Sequence, residues 1–254
     1  MDQRAIEVDH GGRTIRGMVY LPAGGRRAPA VLFLHAFTGQ RIESGFMFVQ
    51  LARALAQLGV AAVTFDFLHS GESDGSFDQM LVSGQLADAR RMTQWLQSQP
   101  FADRARLGVL GFSLGGLTAA CLCARVTAYG ALVLIAPTTV ENLCRVAGES
   151  RANGPPSVGP HELNPGFFDD LRRFDPVGDC VANPRPTLIV QGSADAAVPP
   201  DVAAQFETAL RQAGTPVQAE SVPEADHNFS RPRTRRHLIQ SVANWCEGVL
   251  GEQR

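Results

Sequence analysis

Arg106, Leu107, Gly108, Val109, Leu110, Gly111, Phe112, Ser113, Leu114, Gly115, Gly116 and Leu117 form the stretch on which the reading of this chain turns. Its first half is an apolar run of strand length. From Ser113 onward, through Leu117 to Arg125, apolar residues recur at helical spacing. No loop separates the two, so the strand passes into the helix through Gly111-x-Ser113-x-Gly115, and glycine is the residue that lets two backbones approach so closely. A serine at such a turn has its Oγ lifted clear of the backbone, with the N-terminus of the helix aimed at whatever it meets. The same pattern occurs once more, at Gly71, Ser73 and Gly75. That copy follows Leu68, His69 and Ser70 and runs into a polar loop, so Ser73 reads as part of a turn.

Working outward, short apolar runs alternate with longer segments of helical period. Ile6 to Val8 and Thr14 to Leu21 alternate polar with apolar and predict an antiparallel hairpin at one sheet edge. Ala30 to His35, Ala61 to Phe65, Arg106 to Leu110, Ala131 to Ala136, Thr187 to Gln191 and Val217 to Val222 complete eight strands. Phe46 to Leu58, Leu81 to Leu96, Ser113 to Arg125, Val202 to Ala213 and Arg235 to Leu250 are read as helices. The fold class is therefore α/β, an eight-stranded mostly parallel sheet with helices on both faces and right-handed crossovers. Residues 137–186 break the rhythm with Gly154, Pro155 and Pro156 and with Asn164, Pro165 and Gly166. A segment of that length inside a compact domain is read as a lid insert in a core of 1–136 and 187–254.

The 254 residues suffice for an enclosed core burying about 70–75% of the unfolded surface. Lys and Arg total 23 against 25 Asp and Glu, so there is no cationic excess to neutralise a phosphate backbone, and nucleic acid is not the expected partner. The one basic run, Arg231, Arg233, Arg235 and Arg236, reads as a solvated helix start. No run reaches the length of a membrane span, and five cysteines, an odd count, read as reduced thiols. These point to a cytoplasmic protein with no membrane partner. An exposed last helix or edge strand could support a homodimer.

An unassisted serine hydroxyl is a weak nucleophile; it needs a base in reach, and the base needs an acid to fix its tautomer. In the chain order Ser, acid, His, only His161, His227 and His237 follow Ser113. His161 falls in the irregular segment and His237 inside the last helix, whereas His227 sits in a polar loop beyond the final strand. Asp195, in the loop after Thr187 to Gln191, is the acid, with Asp201 read as a helix cap and Asp226 as the fallback. The oxyanion donors expected are the N–H groups of Leu114 and Phe37. Phe167, Phe168 and Leu171 read equally as an apolar pocket face of the lid and as anchors of the insert. No metal or organic cofactor is expected.

With His35-Ala36-Phe37-Thr38-Gly39, the segment from Asp66 to Gly75, the Gly111 to Gly116 elbow, Asp195 to Pro199 and Asp226-His227 in place, the chain resembles the α/β-hydrolase superfamily. It is similar in particular to serine-aminopeptidase-like hydrolases that include the bacterial cinnamoyl (feruloyl) esterases. It departs from them in Ala36, where they carry Gly, and in His69-Ser70, where they carry Gly-His. The resemblance implies a Ser113, Asp195, His227 triad, a Phe37 and Leu114 oxyanion hole and a lid. The expected function is hydrolysis of a small-molecule carboxylic ester through an acyl-enzyme. Peptidase, thioesterase and ligand-sensing receptor are the alternatives.

Overall fold

The computed structural model describes residues 1–148 and 156–251; Gly154 and Pro155 lie outside the described residues. The hairpin is β1 (Asp2–His10) and β2 (Arg13–Leu21), paired antiparallel. Strands β3 (Ala28–Leu34), β4 (Ala61–Phe65), β5 (Ala102–Phe112) and β6 (Tyr129–Ile135) follow, with α1 (Met47–Gln57), α2 (Val82–Ser98) and α3 (Leu114–Arg125) between them. Beyond the next segment come β9 (Thr187–Gly192), α7 (Pro200–Gln212), β10 (Val217–Val222) and α8 (Pro232–Leu250). The eight strands form one sheet in the order β1-β2-β4-β3-β5-β6-β9-β10, parallel from β4 onward. All eight strands and five helices read from the sequence are present.

Every side chain of β3 and β4 is buried, which is why their sequences are continuous apolar runs. Alternation persists within the run. Ala30, Leu32 and Leu34 face the layer of α2, α3 and α7, while Val31 and Phe33 face the layer of α1 and α8. Helix α3 is buried on all sides from Leu114 to Cys123 and lies between β3, β5, β6, α2 and the helix at Pro176–Ala182.

From β3 the chain crosses through α1 to β4 on one side, and from β5 it crosses through α3 to β6 on the other. The carboxyl ends of β3 and β5 therefore flank a topological switch point, the place where open α/β sheets leave a crevice.

The segment from 137 to 186 is more regular than its Gly, Pro and Asn content predicts. It contains α4 (Val140–Gly148), a two-residue hairpin of β7 (Ser157–Val158) and β8 (His161–Glu162), α5 (Phe167–Leu171) and α6 (Pro176–Ala182). Asp175 caps α6 by accepting the Gly178 N–H at 3.0 Å, and Pro176 opens its first turn. Helix α6 packs on α3 and α7, so the end of this segment belongs to the core layers. Among the described residues no helix is long and apolar enough to cross a membrane, and all five cysteines are free.

Candidate active site

Ser113 closes β5 and opens α3 with φ 55° and ψ −116°, a conformation outside the ordinary regions for a non-glycine residue. Its own N–H donates to Ile135 O at 2.9 Å, and its carbonyl accepts the Gly116 N–H at 2.9 Å, which pin the turn from both sides. A Cβ on Gly115 would lie 2.0 Å from Leu34 O, and one on Gly111 would lie 2.1 Å from Gly115 O. Both glycines of the motif are thus required by space.

His227 leaves the loop after β10 and Asp195 the loop after β9. His227 Nδ1 lies 2.8 Å from Asp195 Oδ2. The carboxylate is buried and anchored: Oδ1 accepts the N–H groups of Ala197 at 3.0 Å and Val198 at 2.8 Å, and Oδ2 accepts Gln191 Nε2 at 3.1 Å. An acceptor at Nδ1 fixes the tautomer that leaves Nε2 bare, the form able to take a proton. The imidazole rests on the Phe112 ring at 4.9 Å. Ser113 and His227 line one cavity of about 560 Å³, together with Ala36, Phe37, Ile42, Glu43, Phe46 and Phe112.

The wall opposite Ser113 is the loop after β3. His35 is buried; Nε2 accepts the Phe67 N–H at 3.1 Å, so Nδ1 carries the proton and donates to Ala36 O at 2.9 Å. Burial pushes the His35 pKa down, which keeps the ring neutral. Among the described residues, neither the Phe37 nor the Leu114 N–H donates to a protein acceptor. Leu114 is the first residue of α3, where helix amides have no internal partner.

The alternatives sit elsewhere. Ser73 Oγ donates to Asp66 O at 2.6 Å and accepts the Arg16 N–H at 2.8 Å, so the first glycine-serine motif is a turn packed on Asp66. His161 rings against Phe77, His237 pairs with Glu220, and Asp226 accepts the Ser230 N–H. Asp201 stands in the first turn of α7 behind Pro199 rather than capping it.

Two further expectations need correction. Phe167, Phe168 and Leu171 do not line the cavity at Ser113; all three are buried in the α2, α3 and α7 layer, and Phe167 stacks on the Phe37 ring at 5.3 Å. Rings of that size are driven into the core by the area they remove from water, so the anchoring alternative is the one realised. Arg235 is not part of a solvated run. It is buried and donates to Ser44 O at 3.1 Å, Gly45 O at 3.0 Å and Asn228 O at 2.7 Å.

The residues that sequence reasoning missed are in the same place: Ile42, Glu43 and Phe46, on the strand-to-helix connection after Gly39. The signal available was a lone acidic residue, Glu43, between the apolar Ile42 and Phe46. Among the described residues, no group of three or more His, Cys, Asp or Glu is arranged to hold a metal ion.

The model of the prolyl oligopeptidase family matches residues 47–253. An uncharacterized protein of Mycobacterium tuberculosis is 29% identical over 243 residues, 95% of this chain and 78% of that one. An uncharacterized 31.7 kDa protein of Escherichia coli is 32% identical over 96 residues, 38% of this chain and 32% of its own. Lysophosphatidylserine lipase ABHD12 of Danio rerio is 36% identical over 115 residues, 44% and 28%. The match thus spans about a third of the length of these last two relatives. Among solved structures, Est1E of Butyrivibrio proteoclasticus with ferulic acid bound superposes with a TM-score of 0.83 at 18% identity, over 98% of this chain and 100% of that one. A puromycin-hydrolyzing peptidase of Mycobacterium tuberculosis gives 0.78 at 21%, over 99% and 40%. At these identities the structures speak for the fold. The sheet order and the elbow at the switch point are those of the α/β-hydrolase fold, and the family match places the chain in the prolyl oligopeptidase family.

Proposed function

We propose that the protein hydrolyses carboxylic esters of small molecules through an acyl-enzyme. The Ser113 Oγ attacks the ester carbonyl as His227 Nε2 takes its proton; the proton then passes to the departing alcohol. Asp195 holds the imidazole and stabilises its cationic form without itself taking the proton. The N–H groups of Phe37 and Leu114 receive the oxyanion, and water deprotonated by His227 releases the acid. No metal or organic cofactor enters these steps.

The observation that carries this reading is that one cavity is lined by a serine on a strained elbow, by an imidazole tethered to a buried carboxylate and by Phe37, whose N–H, like that of Leu114 beside the serine, has no protein acceptor among the described residues. A cavity of about 560 Å³ walled by Ile42, Phe46 and Phe112 suits a small acyl group with its alcohol. The match to a family named for oligopeptidases favours peptide cleavage as the second reading.

The test is steady-state hydrolysis of p-nitrophenyl esters from acetate to long acyl chains, beside aminoacyl p-nitroanilides, with Ser113→Ala as control. Ester turnover abolished in Ser113→Ala is expected. Faster cleavage of anilides than of esters would establish the peptidase reading, and ester turnover surviving in Ser113→Ala would refute the mechanism.

A further inference from the structure

The backbone at Glu43 stands at φ 55° and ψ 168°, a region occupied almost only by glycine. A side chain held there costs energy, and such outliers persist where the surroundings fix them for a purpose. The surroundings of Glu43 are specific. Its Oε1 accepts the Ala36 N–H at 2.6 Å, one residue before Phe37, which lines the cavity. A Cβ on Gly39 would lie 2.7 Å from the same oxygen, so the loop from Ala36 to Gly39 is wrapped closely around the carboxylate. Glu43 as a whole is 8% exposed and lines the cavity. Burial pushes its pKa up to about 7, against the pull of the Ala36 and Ser44 amides and of the His227 and Arg235 charges.

Arg235 completes the arrangement from the other side. Its guanidinium bridges Ser44 O and Gly45 O, next to Glu43, to Asn228 O, next to His227. The loop carrying one oxyanion donor and the loop carrying the imidazole are therefore joined through residues 43–45.

The geometry points to Glu43 as a positioning residue for the oxyanion hole: by binding the Ala36 N–H, it turns the next peptide so that the Phe37 N–H faces the cavity. This rests on the reading of Phe37 as an oxyanion donor. What the role requires of Glu43 is an acceptor oxygen; Gln supplies one, and Gly does not.

Glu43→Gly removes the carboxylate while matching the backbone conformation, so the variant keeps a fold in which activity can be compared. In ester hydrolysis, Glu43→Gly is expected to lose tenfold or more in kcat with KM within twofold of the parent, while Glu43→Gln stays within threefold in both. Amide hydrogen exchange of the peptide containing Ala36 and Phe37, read by mass spectrometry, is expected to accelerate in Glu43→Gly and not in Glu43→Gln. Parent-like kcat and exchange in Glu43→Gly would overturn the inference. So would a Glu43→Gln variant that loses as much as Glu43→Gly through KM, since that marks a charge contact with the substrate. A parent protein with no Ser113-dependent turnover would instead refute the proposed function, and the exchange rates would still decide whether Glu43 holds the loop.

Discussion

Gly115→Ala probes the closest approach in the site. A methyl group there would meet Leu34 O at 2.0 Å and His35 O at 2.6 Å, both backbone atoms that no rotamer can move. Ordinary contact begins near 3.4 Å, so the end of β3 and the start of α3 must part by about 1.4 Å. These two ends carry Phe37 and Leu114, the proposed oxyanion donors, and an oxyanion held by one donor instead of two loses about 10²–10³ in kcat. A displacement of about 1 Å costs a similar factor. A loss of about 10²–10³-fold in kcat/KM is expected with p-nitrophenyl butyrate. Crowding of this kind costs about 1–3 kcal/mol, seen as a lower urea midpoint at unchanged slope. Gly84→Ala is the control: this exposed glycine of α2 has open space at its Cβ position, and the variant should keep full activity and gain up to about 1 kcal/mol. Parent-like kcat/KM in Gly115→Ala would refute the claim that strand and helix touch at this residue in the working enzyme.

Asp195→Asn keeps an oxygen for the Ala197 and Val198 amides but loses hold of the tautomer, so kcat should fall by about 10⁴ with little change in Tm. Phe167→Ala should cost about 3–5 kcal/mol in urea denaturation while acyl-chain preference across an ester series stays as it was, because the ring is packed under Phe37 and away from the cavity. Asp88 is buried beneath the Leu68 N–H, and burial lifts its carboxyl to about 7. A carboxyl raised in the folded state holds its proton there more tightly than in the unfolded chain, so stability falls as pH rises from about 4 to 7. Asp88→Asn should flatten that fall and gain about 1–2 kcal/mol at pH 8 in denaturant titrations at several pH values.

The sheet was legible because β3, β4, β6 and β9 are buried runs bounded by turns, and because only one glycine-serine motif lies between a strand and a helix. Chain order and loop position pointed to Ser113, Asp195 and His227 as candidates, and of these Asp195 and His227 meet at hydrogen-bond distance. The segment after β6 was harder. Helix α4 is only nine residues, and the breakers around it hid Val140, Leu143 and Ala147 at helical spacing. Asp175-Pro176 was a readable helix start that composition masked. Phe167 looked the same as a lid face or an anchor, since an apolar side chain does not announce which surface covers it. Arg235 read as solvated because its partners are carbonyl oxygens of residues 44, 45 and 228, and backbone acceptors leave no mark on a sequence. Glu43 was invisible for a related reason: its meaning lies in a φ angle and one amide.

Ser113, Asp195 and His227 leave the ends of β5, β9 and β10, and the Arg235 bridge between residues 44–45 and Asn228 reaches from α8. On the ribosome Ser113 therefore emerges long before His227 and Arg235. At about 5–20 residues per second, Ser113 spends several seconds without its proposed base. On the proposed mechanism, a product terminated before residue 227 lacks the base that Ser113 needs and is chemically silent.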